Sequence, residues 1–390
     1  MNERTLIQPD VDFIKYLKKH GGDSVKKCFQ CATCSVVCSL SPENKAFPRK
    51  EMISAGWGQK ESLISNPDVW LCHGCTDCST YCPRGAKPAD VLAAVRSYII
   101  EFFAFPRFMS QAIKKPIYLV PLLLVPMIIL FGLLYNNLNG NFEQLNEGVI
   151  KFSRFLPHGI LEMFFIGGNI LIFTFAGIGL YRFWKNLNSI SVPENKKGFI
   201  SVLVGTILEI FSHKNFNACS TNPSRFWGHF LIFYGFMGAM VTAGLAVGAL
   251  VLFDLSPIPL FHPIKILGNV SGIAMVVGCI VVVGHRLKTK NEKGINTYSD
   301  WLLILFVFLV ASTGLLTQTF RILDTDPFLA YNTYYVHMVF IFFLLWYAPY
   351  SKLAHMFYRT LALVYLKMND RNKKAAIFSN AFFLSIFIKL

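Results

Sequence analysis

The chain has 390 residues, 54% of them hydrophobic and only 15% charged, against roughly 25% charged in an ordinary soluble domain. That excludes a plain soluble globule. The net charge of +15, from 37 Lys and Arg against 22 Asp and Glu, reads as basic loops at one membrane face rather than as nucleic-acid binding. Eight of the ten cysteines lie in residues 1–100, and the long apolar runs begin near residue 116, so two domains of different chemistry are expected, 1–105 and 106–366, followed by a tail, 367–390.

Residues 1–27 mix both charge signs with scattered apolar side chains and carry no basic, apolar, small-residue progression, so no secretory signal is visible and the amino terminus is expected in the cytoplasm. Two cysteine runs follow. Cys28, Cys31, Cys34 and Cys38 are spaced C-x2-C-x2-C-x3-C, and Cys72, Cys75, Cys78 and Cys82 repeat the spacing with Pro83 after it. Three thiolates on one tight loop suit three irons of a cubane, the fourth ligand coming from the other run. The expected sets are Cys28, Cys31, Cys34 with Cys82, and Cys72, Cys75, Cys78 with Cys38, each holding one 4Fe-4S cluster. Zinc favours two separated CxxC pairs and leaves the third and fourth cysteines unexplained. Disulfides are disfavoured by the reducing compartment.

Six spans can be drawn, at 116–135, 160–181, 227–253, 264–285, 301–323 and 334–349, each near the roughly 20 residues that cross a bilayer as helix. With the amino terminus inside, the inner loops hold Arg182, Lys185, Lys196, Lys197, Lys214, Arg225, Arg286, Lys288, Lys290 and Lys293, whereas the outer loops hold only Lys151 and Arg154. The positive-inside bias therefore agrees with the missing signal. Between the second and third spans, Phe199, Val202, Leu203, Ile207, Ile210 and Phe211 fall on one helical stripe, expected as an interfacial or docking helix. The apolar stretch 377–390 is short for a span and reads as a second surface-lying or partner-packed segment. The fold class expected is mainly α: a small helical two-cluster ferredoxin-type domain followed by a six-helix transmembrane bundle.

Histidines at or within spans are functional candidates. His337 and His355 stand 18 positions apart, five whole turns of a continuous helix, which would set both on one face about 27 Å apart. Stacked haems need that arrangement, and interfacial histidines satisfy it equally well. By depth, His229 and His285 form an inner group and His158 and His262 an outer one. His213 and His73 read as surface or cysteine-loop environment, and Cys219 and Cys279 as small buried hydrophobes.

The helical stretch between the cysteine runs, with Pro48, Arg49, Lys50, Asp68, Trp70 and Leu71, resembles the iron-sulfur C subunit of heterodisulfide reductases. Residues 225–368 resemble the gamma, cytochrome b subunit of respiratory nitrate reductases, through Gly228-His229-Phe230, Val270-Ser271-Gly272, Gly314-Leu315-Leu316-Thr317, Val336-His337-Met338 and Ser351 to His355. This second resemblance implies two b-type haems, the inner one held by His229 and His355 and the outer one by His337. The family's remaining histidine would fall at Ala239, so His158 is expected as the substitute, with His262 as its rival. His262 and Lys265 fall where the family's quinone pocket would lie. The fusion as a whole resembles the C-subunit family of quinone-interacting membrane-bound oxidoreductases. It implies an electron-transfer and quinone-reacting subunit between menaquinone and heterodisulfide-reductase-A-like flavin/iron-sulfur partners in the cytoplasm, linked to adenylylsulfate reductase, within the cytoplasmic membrane and with both termini inside. The alternative is a relay in a membrane-bound heterodisulfide-reductase-like complex with another acceptor. The chain carries no duplicated CCG cysteine motif and so is not itself the disulfide-cleaving subunit.

Overall fold

A computed structural model describes residues 8–42, 45–146, 148–189, 198–213, 223–255, 257–288 and 297–369. Every regular element among the described residues is helical. The expected segment 377–390 and Cys219 lie outside them.

The N-terminal domain is built around the helix Pro88–Phe103. Proline at its first turn costs no hydrogen bond, because that N–H has no partner inside a helix. Val91, Leu92, Val95 and Ile99 recur at helical spacing and are all buried. Phe13 and Leu17 from Val11–Leu17, Met52 from Arg49–Gly56, and Leu63 close over them. Asp10 caps the first helix, accepting from the Phe13 N–H at 2.8 Å, and also pairs with Lys60 at 2.7 Å. The Lys60 ammonium holds the Asp10 carboxyl below the usual carboxylate range.

Among the described residues, six helices are long and apolar enough to cross a membrane: Pro116–Leu138, His158–Asn188, Ser224–Phe253, Pro263–Lys288, Tyr298–Ile322 and Pro327–Trp346. The third and fourth spans pack backbone to backbone. A Cβ on Gly235 would stand 2.8 Å from the Ser271 carbonyl oxygen, and one on Gly278 would stand 2.9 Å from the Ile232 nitrogen. Small residues permit that approach, and dispersion rather than hydrophobic burial holds such a contact within a bilayer.

The sixth span ends at Trp346, short of His355. Two 3-10 turns, Ala348–Tyr350 and Lys352–Ala354, follow, and His355 opens a separate helix, His355–Met368. Pro349 lacks an N–H and its ring crowds the preceding turn, and here the helix ends at Trp346 instead of running on through the proline as the first span does at Pro126. His337 and His355 are therefore not two points on one helix face, and the five-turn geometry expected between them is corrected. The stripe at Phe199–Phe211 packs on the final helix, joined by Lys367 and Glu209 at 2.5 Å.

The two domains share one core. Phe183, Leu187, Tyr358, Ala362 and Tyr365 of the membrane domain belong to the same buried cluster as Leu63, Val69 and Trp70. Trp70 is 1% exposed and stacks on Tyr358 at 5.9 Å between ring centroids, with the edge of Phe183 at 6.0 Å. Trp70→Ala is expected to cost about 3–5 kcal/mol and to detach the N-terminal domain first. Limited proteolysis in detergent should then cleave between residues 103 and 119 while the six spans stay intact.

Glu51 supplies a pH dependence. It is buried, accepts from the Asn66 side chain at 2.8 Å through Oε1, and leaves Oε2 without a partner. Burial first, and the Asp68 carboxylate second, push its carboxyl from 4.5 to about 7. The folded state thus holds a proton that the unfolded chain releases between these values, so stability is fullest below pH 4.5 and falls as pH rises through about 7. Thermal melts of the wild type should decline from about pH 5 to 8, whereas Glu51→Gln should flatten that decline and gain up to roughly 3 kcal/mol at the alkaline end.

Candidate functional site

The two cysteine runs repeat in backbone as well as in sequence. Gln30 and Ala32 flank Cys31 with φ of 60° and 67°, and Gly74 and Thr76 flank Cys75 with φ of 64° and 71°. In each run a single helical turn follows, Thr33–Val36 and Asp77–Thr80, carrying the third cysteine. Left-handed residues at matched positions, three of them with side chains, are strained unless the loop requires them. Alternation of this kind turns successive N–H groups toward one concave side. The Gly74 N–H points to Cys72 Sγ at 3.2 Å.

The thiols differ in environment. Cys31 is exposed, and the Thr33 hydroxyl 3.3 Å away lowers its pKa. Cys34 is raised to about 11, by burial first and then by Cys28 and Cys31. Cys38 rises to about 11 as well, again mainly by burial, with Cys72 and Cys75 adding. Cys78 is pushed up by burial and then by Cys72, Cys75 and Cys38. Cys28 and Cys82 are partly buried against the core.

Among the described residues, however, no three His, Cys, Asp or Glu side chains converge tightly enough to hold a metal ion. The expected cofactor set of two 4Fe-4S clusters and two haems b is corrected on that ground. The loops have the concave backbone that such groups use, but their thiols are not gathered into a donor set.

The second loop is bolted to the membrane domain. Arg359 donates to the carbonyls of Leu71 and Cys72, each at 3.4 Å, and to His73 Nε2 at 2.6 Å. Arg225, at the start of the third span, donates to the carbonyls of His73 and Gly74. Because a guanidinium only donates, His73 Nε2 accepts and its proton resides on Nδ1. Burial, then Arg359, Arg225 and Arg96, keep that ring far below its usual pKa, hence neutral.

His229 lies beneath this loop. Its ring is 5.6 Å from that of His213, and His355, Arg225 and Arg359 are near enough to act on it electrostatically. His213 is 7% exposed and enclosed by Phe226, Phe230, Phe233 and Tyr234, which corrects its surface reading. His337 sits between the fifth and sixth spans, over Gly314, with Nδ1 3.0 Å from the Thr313 hydroxyl. His158 opens the second span. His262 precedes the fourth, its Nδ1 accepting weakly from the Ile264 N–H at 3.4 Å, and Lys265 lies in that span's first turn.

In the sequence Arg225 signals topology alone, and Arg359 does not stand out. A basic residue beside an apolar run carries no sign of carbonyls some 150 to 290 positions away. A cavity of about 140 Å³, between Pro88–Phe103 and the adjacent ends of the fifth and sixth spans, has no sequence signature either.

Residues 24–86 match the family model described as 4Fe-4S dicluster domain. The C subunit of the H(2):CoB-CoM heterodisulfide,ferredoxin reductase of Methanothermobacter marburgensis is 36% identical over 88 residues, 23% of this chain and 48% of that one. A protein of Archaeoglobus profundus described as like the heterodisulfide reductase C subunit is 30% identical over 100 residues, 25% of this chain and 53% of that one. The chain thus spans about half the length of these curated relatives. The E subunit of the dihydromethanophenazine:CoB--CoM heterodisulfide reductase of Methanosarcina mazei is 24% identical over 249 residues, 61% of this chain and 87% of that one. No solved structure matches. These similarities show a distant, partial homology to the C and E subunits of heterodisulfide reductases, joined here to a helical membrane domain. The family model described as citrate utilization protein B matches residues 109–376, more than half of the chain, and the chain belongs to that family.

Proposed function

We propose that the chain is the membrane relay subunit of a heterodisulfide-reductase-like complex, passing electrons between a carrier dissolved in the bilayer and soluble partner subunits. The observation that carries this reading is the joint between its halves. A cysteine-loop domain related to the heterodisulfide reductase C subunits is clamped by Arg225 and Arg359 onto a six-span domain. The relative from Methanosarcina mazei carries dihydromethanophenazine in its name, and the relative from Methanothermobacter marburgensis carries heterodisulfide and ferredoxin. One chain that contains both kinds of relationship fits a subunit standing between such carriers. The finer expectation, menaquinone at one end and adenylylsulfate reductase at the other, finds no counterpart in those names, and the reading with another acceptor is preferred.

The basic inner loops favour placing the N-terminal domain in the cytoplasm. The partners then meet the first cysteine loop, where Cys31 is exposed beside Phe29, 66% exposed, and Val36, 83% exposed. A tagged chain purified from gently solubilised membranes should bring down flavin or iron-sulfur subunits, and Val36→Glu should lower their recovery by roughly tenfold, the factor that 1.4 kcal/mol of lost binding gives. Recovery of the chain with transport proteins alone would overturn the relay reading.

A further inference from the structure

The six spans hold two acidic residues, Glu162 and Asp300. Asp300 lies in the first turn of the fifth span and pairs with Arg286 and Lys352. Glu162 lies beyond the first turn of the second span, and its Oε1 is enclosed by protein with no hydrogen-bond partner among the described residues. A glutamate near a membrane surface ordinarily turns its head to water. This one turns an oxygen into the protein.

Its depth follows from the rings on either side of it in the chain. Phe155 stacks on Tyr331 at 5.7 Å between centroids, and Phe164 stacks on Phe342 at 6.0 Å, so Glu162 falls at a level between Tyr331 and Phe342, within the sixth span. Asn137, near the end of the first span, donates to the Arg154 and Phe155 carbonyls at 3.1 and 3.2 Å. Phe155 therefore marks the edge of the bundle away from the N-terminal domain, and Glu162 is roughly 10 Å inward of it at about 1.5 Å per residue. His158, Glu162 and Asn169 share one side of the second span, within about 40° at 100° per residue, and each is only partly exposed. Beside them Met163, Ile166 and Ile170 are open to lipid.

An ionised carboxylate is strongly disfavoured where one oxygen meets neither water nor a donor and the flank is hydrocarbon. A neutral acid is not, because its O–H removes the charge. The titratable groups at this level are His158 on the same helix, and Tyr331, Tyr334, Tyr335 and His337 on the sixth span; Lys151 and Arg154 precede the second span and are exposed. Tyr331 donates to the Lys151 carbonyl, Tyr335 to the Met127 carbonyl, and His337 meets the Thr313 hydroxyl. His158 is one helical turn from Glu162 toward the edge, a separation that sets the two side chains about 5–6 Å apart at Cβ.

We propose that Glu162 is a proton-binding carboxyl inside the membrane domain, loaded and unloaded past His158. The proton passes between the Glu162 carboxyl and a ring nitrogen of His158, directly or across one water, and no electron moves with it. This goes beyond the relay reading and does not depend on it.

The test uses the full chain in lipid nanodiscs with dicyclohexylcarbodiimide, an apolar reagent that forms an N-acylurea with a protonated carboxyl held out of water. Glu162 should be labelled at mildly acidic pH, labelling should be lost as pH rises, and a water-soluble carbodiimide should leave it unlabelled. Infrared difference spectra across the same pH change should show a carboxylic-acid C=O band that Glu162→Gln lacks while keeping the wild-type melting temperature. His158→Leu should retain the band and slow its response to a pH jump severalfold. Absence of the apolar label from Glu162, or equal labelling by the water-soluble reagent, would overturn the proposal. Protection by sodium chloride but not by choline chloride would make this a metal-cation site and overturn it as well. An unchanged response in His158→Leu would overturn the route past His158.

Discussion

Two guanidinium groups set the arrangement of the whole chain. Arg225 and Arg359 cannot shed their charge, and both lie partly buried at the seam between the domains. A cation withdrawn from water needs strong acceptors, or it costs several kcal/mol. The loop from Leu71 to Gly74 supplies them because its tight, partly left-handed backbone leaves carbonyls that no helix uses. The stack of Trp70 on Tyr358 adds the apolar half of the same contact. If either partner moved, a buried charge and a row of carbonyls would be stranded together, so the second cysteine loop is held against the membrane domain.

The break after Trp346 belongs to the same constraint. A sixth span continued through Pro349 would carry Tyr358 and Arg359 along the membrane axis, away from the loop. The two 3-10 turns redirect the chain instead, and Tyr350 secures the corner by donating to the Phe105 carbonyl at 2.8 Å. The final helix can then present Tyr358, Arg359 and Ala362 to the N-terminal domain on one side and pack against Phe199–Phe211 on the other. The cavity beside Lys352 and His355 is the space left where the sixth span departs from a straight course.

How far the sequence discloses this follows from the range of each signal. The six spans are legible because hydropathy is a local sum, although the helices run past the apolar limits: the second reaches from His158 to Asn188 against an apolar stretch of 160–181, since helical hydrogen bonding does not stop at the edge of the lipid. The repeated cysteine spacing is legible for the same reason. The path of the chain after the sixth span is only partly so. Pro349 is visible, but 18 positions between two histidines suggest continuity, and spacing is informative only inside one unbroken helix. His213 reads as surface because the apolar stripe stops at Phe211, whereas its burial comes from Phe226, Phe230, Phe233 and Tyr234 on another helix. The Arg225 and Arg359 contacts depend on tertiary proximity alone.

The two cysteine loops are near copies in backbone and opposites in surroundings. In the first, Cys31, Phe29 and Val36 face solvent, and Arg84, just beyond the second run, lies over the Phe29 ring at 3.9 Å. In the second, Cys78 is buried and His73 is held neutral against Arg359. A sequence repeat would by itself suggest equivalent roles. The fold removes the equivalence by giving one loop to the membrane domain and leaving the other outward, so the chain has a direction: bundle, second loop, first loop, surface. For the proposed relay, that order matters more than any single residue, because it sets one loop against the membrane domain and leaves the other open to solvent.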